Sequence, residues 1–299
     1  MKILSISIPT ILVALVTSAA GLLYVCGCVP VPKETVIAGG AREQAVQRQD
    51  VVCSPELEHV PASQHKDGID PDGFTVLSWN SHRGAHQDWH SDLASYGSAA
   101  DIILLQEAAI GANRDARTDL LENHWLMATA FQLDEQDIGI LSAARVSPEA
   151  YCVSREPEPL FRIPKVGLAA LYPLSGTDAQ LLVVNIHMVN FTFSADAVGH
   201  QFDALKDIIA SHDGPVIIAG DFNTWSDSRK ALIDSRMKDL HMTPVTFDPD
   251  NRVVFFNHTV DGIYYRGLEV TKSQSYRVES SDHNPLVVHF RLSDHIRSS

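Results

Sequence analysis

Short apolar runs that each end on a chemically active side chain recur between residues 74 and 292. They limit the folds open to this chain. Ile102-Ile103-Leu104-Leu105 leads into Gln106-Glu107, Val183-Val184-Asn185-Ile186 into His187, and Val216-Ile217-Ile218-Ala219 into Gly220-Asp221. Leu286-Val287-Val288 is the reverse case, with Asp282-His283 standing just before it. Runs this short, bounded by turn-forming residues, read as buried strands rather than helices. Such strands need cover on both faces. With helical segments between them, the pattern predicts an α/β fold of two sheets packed face to face with helices outside.

The remaining elements follow the same reading. Phe74–Trp79, Ile138–Val146, Val166–Leu174, Val253–Phe256 and Gly262–Tyr265 are expected as further strands. Gln87–Ser98, Arg114–Trp125, Ala195–Ser211 and Ser226–Lys238 are expected as helices. In the first of these, Trp89, Leu93 and Tyr96 share one face. The main folded domain is expected over 74–292, with 293–299 as a tail.

Two segments precede it. Ile3 to Val29 carries no charge and exceeds the roughly 20 residues that span a bilayer. Residues 1–29 are expected to be a membrane anchor or an export signal, which places the chain at the bacterial inner membrane or in the periplasm, with a cytoplasmic location as the alternative. Val25-Cys26-Gly27-Cys28 only loosely fits a lipoprotein processing box. Residues 30–73, rich in Pro and Gly, read as a flexible linker. Cys53 and Cys152 would pair in an exported chain and stay free thiols in a cytoplasmic one.

The formal net charge of −14 over 299 residues argues against a protein held to nucleic acid by a broad basic surface. It leaves room for an enzyme that meets phosphate through a metal ion and a few local donors. Arg83, Arg162, Lys165 and Arg266 are too scattered in sequence to claim a basic pocket.

The polar candidates all lie where apolar strands begin or end, so they gather at one rim of the two sheets. There they can converge without stranding charge in the core. Glu107 suits a hard cation such as Mg²⁺; the plain alternative is a carboxylate that merely ends a strand. In Gly220-Asp221-Phe222-Asn223, Asp221 can take a proton from water and Asn223 can donate to a phosphate oxygen. The same string also makes an ordinary Asx turn. Asp261 and His283 can form an oriented acid–base pair. Each of these signals alone is weak; their order along the chain is what carries weight.

Ser78-Trp79-Asn80, Leu105-Gln106-Glu107, Asn185-Ile186-His187, Gly220-Asp221-Phe222-Asn223, Asp261-Gly262 and Ser281-Asp282-His283, in that order, resemble the endonuclease/exonuclease/phosphatase superfamily. The strings from Val184 to Phe191, Ala219 to Ser226 and Ser281 to Leu286 point to its YafD-like bacterial branch. The resemblance implies a four-layer α/β/β/α sandwich, two packed mixed β-sheets flanked by helices. It also implies a phosphodiesterase using Mg²⁺ or Mn²⁺. It assigns Glu107, Asn80 and Asp282 to the metal, and Asp221, His283, Asp261 and His187 to catalysis. Asn223 and Asn190 fall to the substrate phosphate. Where several members carry Tyr, this chain has His187, which makes a DNA-repair exonuclease a poorer fit. The expected partners are a phosphate-ester substrate (nucleic acid or phospholipid) and a membrane reached through the N-terminal segment; the chain itself is expected to be a monomer. The competing readings are a catalytically silent binding module and an inositol-phosphate-type phosphomonoesterase.

Overall fold

The computed structural model describes residues 30–32, 36–40, 46–49, 53, 58–59, 68–111, 124–160, 162–192 and 194–297. The expected anchor or signal over 1–29 and most of the expected helix Arg114–Trp125 lie outside these residues.

The first sheet is built from β1 (Val36–Gly40), β2 (Val46–Gln49), β4 (Phe74–Asn80), β5 (Ile102–Gly111), β6 (His124–Leu133), β7 (Gln136–Ala144), β16 (Leu268–Ser275) and β17 (Leu286–Leu292), in the order β16-β17-β4-β5-β7-β6-β1-β2. The second holds β3 (Glu58–His59), β8 (Ala150–Pro157), β9 (Pro164–Pro173), β10 (Gln180–His187), β11 (Val216–Asp221), β12 (Thr243–Pro244) and β15 (Asp261–Arg266), in the order β12-β15-β11-β10-β9-β8-β3. A separate hairpin joins β13 (Val254–Phe255) to β14 (His258–Thr259). Each large sheet has one parallel pair near its middle, β4 with β5 and β10 with β11, amid antiparallel neighbours.

Period-2 alternation sorts the apolar side chains into three layers. Phe74, Val76, Ile102, Leu104, Val183, Ile217, Ile263 and Val288 fill the space between the sheets. Val184, Ile186, Val216 and Ile218 face the other way, against Phe202 and Leu205 of α2 (Asp196–Ser211) and Ile233 and Met237 of α3 (Asp227–Asp239). Leu77, Trp79, Ile103 and Leu105 cover the outer face of the first sheet together with Trp89 and Leu93 of α1 (Trp89–Gly97). The result is the α/β/β/α sandwich.

Three expectations need correction. The residues expected as a linker carry strands: β1 pairs with the edge of β6, and β3 with the edge of β8. An exposed strand edge is a row of unpaired N–H and C=O groups, and these segments satisfy it. Trp125 belongs to β6 rather than to a helix. Of Val253–Phe256 only Val254 and Phe255 are strand, and they form the small hairpin outside both sheets.

Cys53 and Cys152 are disulfide-bonded, 99 residues apart in sequence. The bond ties residue 53 to β8, where the Cys53 N–H also donates to the Val153 carbonyl at 3.0 Å. Closing a loop of that length restricts the unfolded chain, so Cys152→Ala should cost about 2–4 kcal/mol. Chemical denaturation under non-reducing conditions checks this, and an unchanged midpoint would show that the bond contributes nothing.

Candidate active site

Register places the site. In both sheets the parallel strands end, and their antiparallel neighbours begin, at one rim. His187 of β10 stands opposite Asp221 of β11, and Asp221 opposite Asp261 of β15. All three share the inward parity of Val183, Ile217 and Ile263, so they point toward the other sheet. Across the gap, Asn80 of β4 stands opposite Gln106 of β5. The Asn80 Nδ2 donates to Asp221 Oδ2 at 3.2 Å, bridging the two sheets.

Local backbone geometry delivers the key side chains. Gly220 has φ +145°, and a Cβ there would meet the Ile186 carbonyl oxygen at 1.9 Å, so only glycine fits before Asp221. Glu107 and Asn223 adopt φ of 50° and 49°, left-handed conformations that cost energy for residues other than glycine. Glu107 owes its position to a bulge in β5, where the register with β7 breaks between Leu105 and Ala108. The carbonyls exposed beside the bulge are met from the other sheet. Asn185 Nδ2 donates to the Leu105 and Leu141 carbonyls at 3.3 and 2.9 Å. Its Oδ1 accepts Gln106 Nε2 at 2.7 Å. Asn185 and Gln106 thus brace the bulge that carries Glu107.

At the centre, His283 Nδ1 lies 3.0 and 2.8 Å from the two oxygens of Asp261, and its Nε2 lies 4.0 Å from Asp221 Oδ2. Burial works against the imidazolium, but the Asp261 carboxylate and its hydrogen bond, with Asp221 and Asp282, outweigh it and raise the His283 pKa to about 10. Burial pushes the Asp221 carboxyl up to about 6, the Asp261 charge adding to the rise and His283 opposing it. Two neighbours are therefore divided: a histidine held charged, and a carboxylate poised to take a proton near neutrality. His187 goes the other way, held well below its ordinary value by burial, Lys165 and His283. Its Nε2 is 2.7 Å from Lys165 Nζ, 3.4 Å from Asp221 Oδ2 and 4.0 Å from Glu107 Oε1.

The remaining candidates border this centre. Asn223 donates its backbone N–H to Asp221 Oδ1 at 2.9 Å and its side-chain Nδ2 to the Met188 carbonyl at 2.9 Å. Asn190 Oδ1 accepts Trp225 Nε1 at 2.8 Å. Asp282 is more than half exposed and pairs with His82 Nδ1 at 3.0 Å, at the edge of the site.

Two groupings could hold a cation. Ligand atoms of Asp221, Asp261 and His283 lie within 4.8 Å of one another, but His283 Nδ1 is committed to Asp261, and the raised His283 pKa keeps that ring protonated. In that cluster a histidine and two carboxylates lie side by side. Glu107 fits a hard cation better. Its carboxylate is about one-third exposed and makes no hydrogen bond among the described residues. The Asn80 amide oxygen, which accepts the His82 N–H at 3.2 Å, and the exposed Asp282 carboxylate would complete an all-oxygen donor set.

Residues 77–295 match the model of the Endonuclease/Exonuclease/phosphatase family. The chain belongs to this family. Among relatives, a UPF0294 protein of Vibrio cholerae is 34% identical over 280 residues, covering 93% of this chain and 96% of that protein. Among solved structures, an endonuclease/exonuclease/phosphatase from Beutenbergia cavernae superposes with a TM-score of 0.59 at 18% identity, over 74% of this chain and 72% of that one. ANGEL2, a 2',3'-cyclic phosphatase solved with adenosine-2',3'-vanadate, gives a TM-score of 0.56 at 18% identity, over 76% of this chain and 97% of that one. Members of the family hydrolyse phosphoester bonds and generally use divalent metals, and the buried carboxylates and histidine of this member sit on the shared sandwich.

Gln106 and Asn185 have no role of their own in the motifs above, Lys165 is there only one of four scattered basic residues, and Glu158 and Arg229 are not among the candidates. For Lys165 a signal existed. It stands at the start of an apolar run in a strand antiparallel to β10, so the strand-end rule that found His187 also applies to it.

Proposed function

We propose that this chain is a Mg²⁺- or Mn²⁺-dependent phosphodiesterase. The observation that carries the reading is the charged His283–Asp261 pair set beside Asp221, whose pKa is tuned to about 6. In this reading Asp221 removes a proton from the attacking water. His283, oriented by Asp261, presents Nε2–H to the phosphate as negative charge builds. Glu107, Asn80 and Asp282 would hold the metal, which supplies charge neutralisation and a template for in-line attack. Asn223 and Asn190 border the phosphate position from the loops after β11 and β10.

The test is turnover of bis-p-nitrophenyl phosphate by the full-length chain with and without Mg²⁺ or Mn²⁺. Metal-dependent turnover is expected. Glu107→Gln should raise the metal concentration needed for half-maximal activity at least tenfold. No turnover with any divalent ion would sink the reading in favour of a silent binding module.

A phospholipid headgroup ester is favoured over nucleic acid by one surface feature. Val254, Phe255 and Phe256 are exposed at the tip of the β13–β14 hairpin, Phe256 at 81%. Thr224 Oγ1, next to Asn223, anchors that hairpin through the Thr259 carbonyl at 2.7 Å. An apolar tip beside the cleft of an acidic protein suits a zwitterionic lipid surface better than a polyanion. Export or membrane attachment is supported by the disulfide, since such bonds persist in oxidising compartments. No helix among the described residues is long and apolar enough to cross a membrane, so attachment would fall to residues 1–29. A panel of phosphatidylcholine vesicles, plasmid DNA, RNA and inositol phosphates discriminates the substrates. Faster turnover of DNA than of vesicles would overturn the lipid preference.

A further inference from the structure

Lys165 lies in β9, half-buried, and its Nζ sits 2.7 Å from His187 Nε2. An ammonium has donors only, so His187 Nε2 must offer its lone pair, and the ring proton of the neutral imidazole is on Nδ1. A nitrogen that accepts from Lys165 has no proton of its own to pass on, and in this geometry the ring holds the ammonium in place.

The placement of that ammonium is informative. His187 Nε2 is also 3.4 Å from Asp221 and 4.0 Å from Glu107, so Lys165 faces the cleft those carboxylates border. It makes no other hydrogen bond or ion pair among the described residues, which leaves two of its three N–H groups unused. Nearby cations are committed elsewhere. Arg229 spends its guanidinium on backbone carbonyls, and Arg252 pairs with Asp250 at 2.7 Å. A phosphate anion entering this cleft would otherwise meet the carboxylates of Asp221, Asp261 and Glu107, with the charged His283 among them.

We propose that Lys165 is a phosphate-binding residue of this site, its ammonium aimed at a phosphate oxygen by a neutral His187. The inference rests on the phosphoesterase reading for its location and names the anion that the site must take: a phosphate or phosphodiester oxygen, recognised by a point charge with two free donors.

Inorganic phosphate titrated calorimetrically into the metal-free full chain tests it without relying on turnover. Lys165→Met should weaken phosphate affinity about 10- to 100-fold, the range for a hydrogen bond to a charged group. Lys165→Arg should stay within a few-fold. His187→Gln, which keeps an acceptor oxygen, should retain more affinity than His187→Leu. Thermal melts accompany each variant, and if Lys165→Met does not fold, Lys165→Gln takes its place. Undiminished affinity in Lys165→Met, or no phosphate binding by the unsubstituted chain, overturns the proposal. Lys165-dependent binding in a chain that hydrolyses no diester would instead sink the phosphodiesterase reading and leave this one standing. Turnover indifferent to Lys165 would do the reverse.

Discussion

His283→Ala is expected to lower kcat for a phosphodiester by about 10²–10⁴-fold, the usual contribution of a positioned acid–base group. The imidazole sits between Asp261, which bonds its Nδ1, and Asp221, 4.0 Å from its Nε2, so no neighbour can replace it. Asp261→Asn sharpens the test. It keeps an acceptor oxygen at Nδ1 but removes the main charge that raises the His283 pKa from its ordinary value of 6.5 to about 10. The sign follows directly. With Asp261 present the imidazolium survives until the pH passes about 10, so the unsubstituted chain should keep its activity through the neutral and mildly alkaline range. Without that charge, burial favours the neutral ring, and activity should fall as pH rises through the ordinary histidine range or below it. Below about pH 6 the unsubstituted protein should lose activity as Asp221 takes up a proton. A pH–rate profile of Asp261→Asn that overlays the unsubstituted profile would sink the assigned role of Asp261. A circular-dichroism melt of each variant separates loss of chemistry from loss of fold.

Much of this site was legible because one rule ties sequence to place. An apolar strand that ends on a polar residue puts that residue at a rim, and parallel strands share a rim. That rule located Asn80, Glu107, His187, Asp221, Asp261 and His283. It did not reach the less apolar strands. β16 is an edge strand with exposed Thr271 and Lys272, and β8 ends in Ser154-Arg155-Glu156-Pro157, so neither shows a sustained apolar run. β6 contains Leu126, Met127, Ala128 and Ala130, good helix formers, and pairing with β7 overrides that preference. The β5 bulge left no mark in the sequence. Its signature is Glu107 at a positive φ, and that becomes visible only with Asn185 reaching across from the other sheet. The disulfide was undecidable for a different reason: two cysteines 99 residues apart carry no pairing information until the fold brings them together.

Arg229→Met should destabilise the protein by about 3–5 kcal/mol, the range for breaking a buried charged network by removing one partner. Arg229 is fully buried. Its Nη1 donates to the carbonyls of Val189 and Asn223 at 2.7 and 3.1 Å, and its Nη2 to those of Asn190 and Thr192 at 2.8 and 2.7 Å. The Trp225 ring lies under the guanidinium at 4.5 Å. Glu158, also buried, takes the backbone N–H groups of Asn190 and Phe191 at 2.5 and 3.0 Å. The loop after β10 is therefore gripped by a cation on its carbonyls and an anion on its amides, and Asn223 is tied to the same guanidinium. Methionine matches the length of the side chain but returns none of the four hydrogen bonds, and it removes a positive charge that interacts with Glu158. Lysine keeps the charge but not the planar fork, so Arg229→Lys should recover only part of the loss. Denaturant titration reads the effect, and a change under about 1 kcal/mol for Arg229→Met would show that the loop holds itself. Because Arg229 touches neither Asp221 nor His283 through a hydrogen bond, the variant also separates two ideas about Asn190 and Asn223. If they contact substrate, KM should rise in the still-folded fraction while the pH–rate profile keeps its shape.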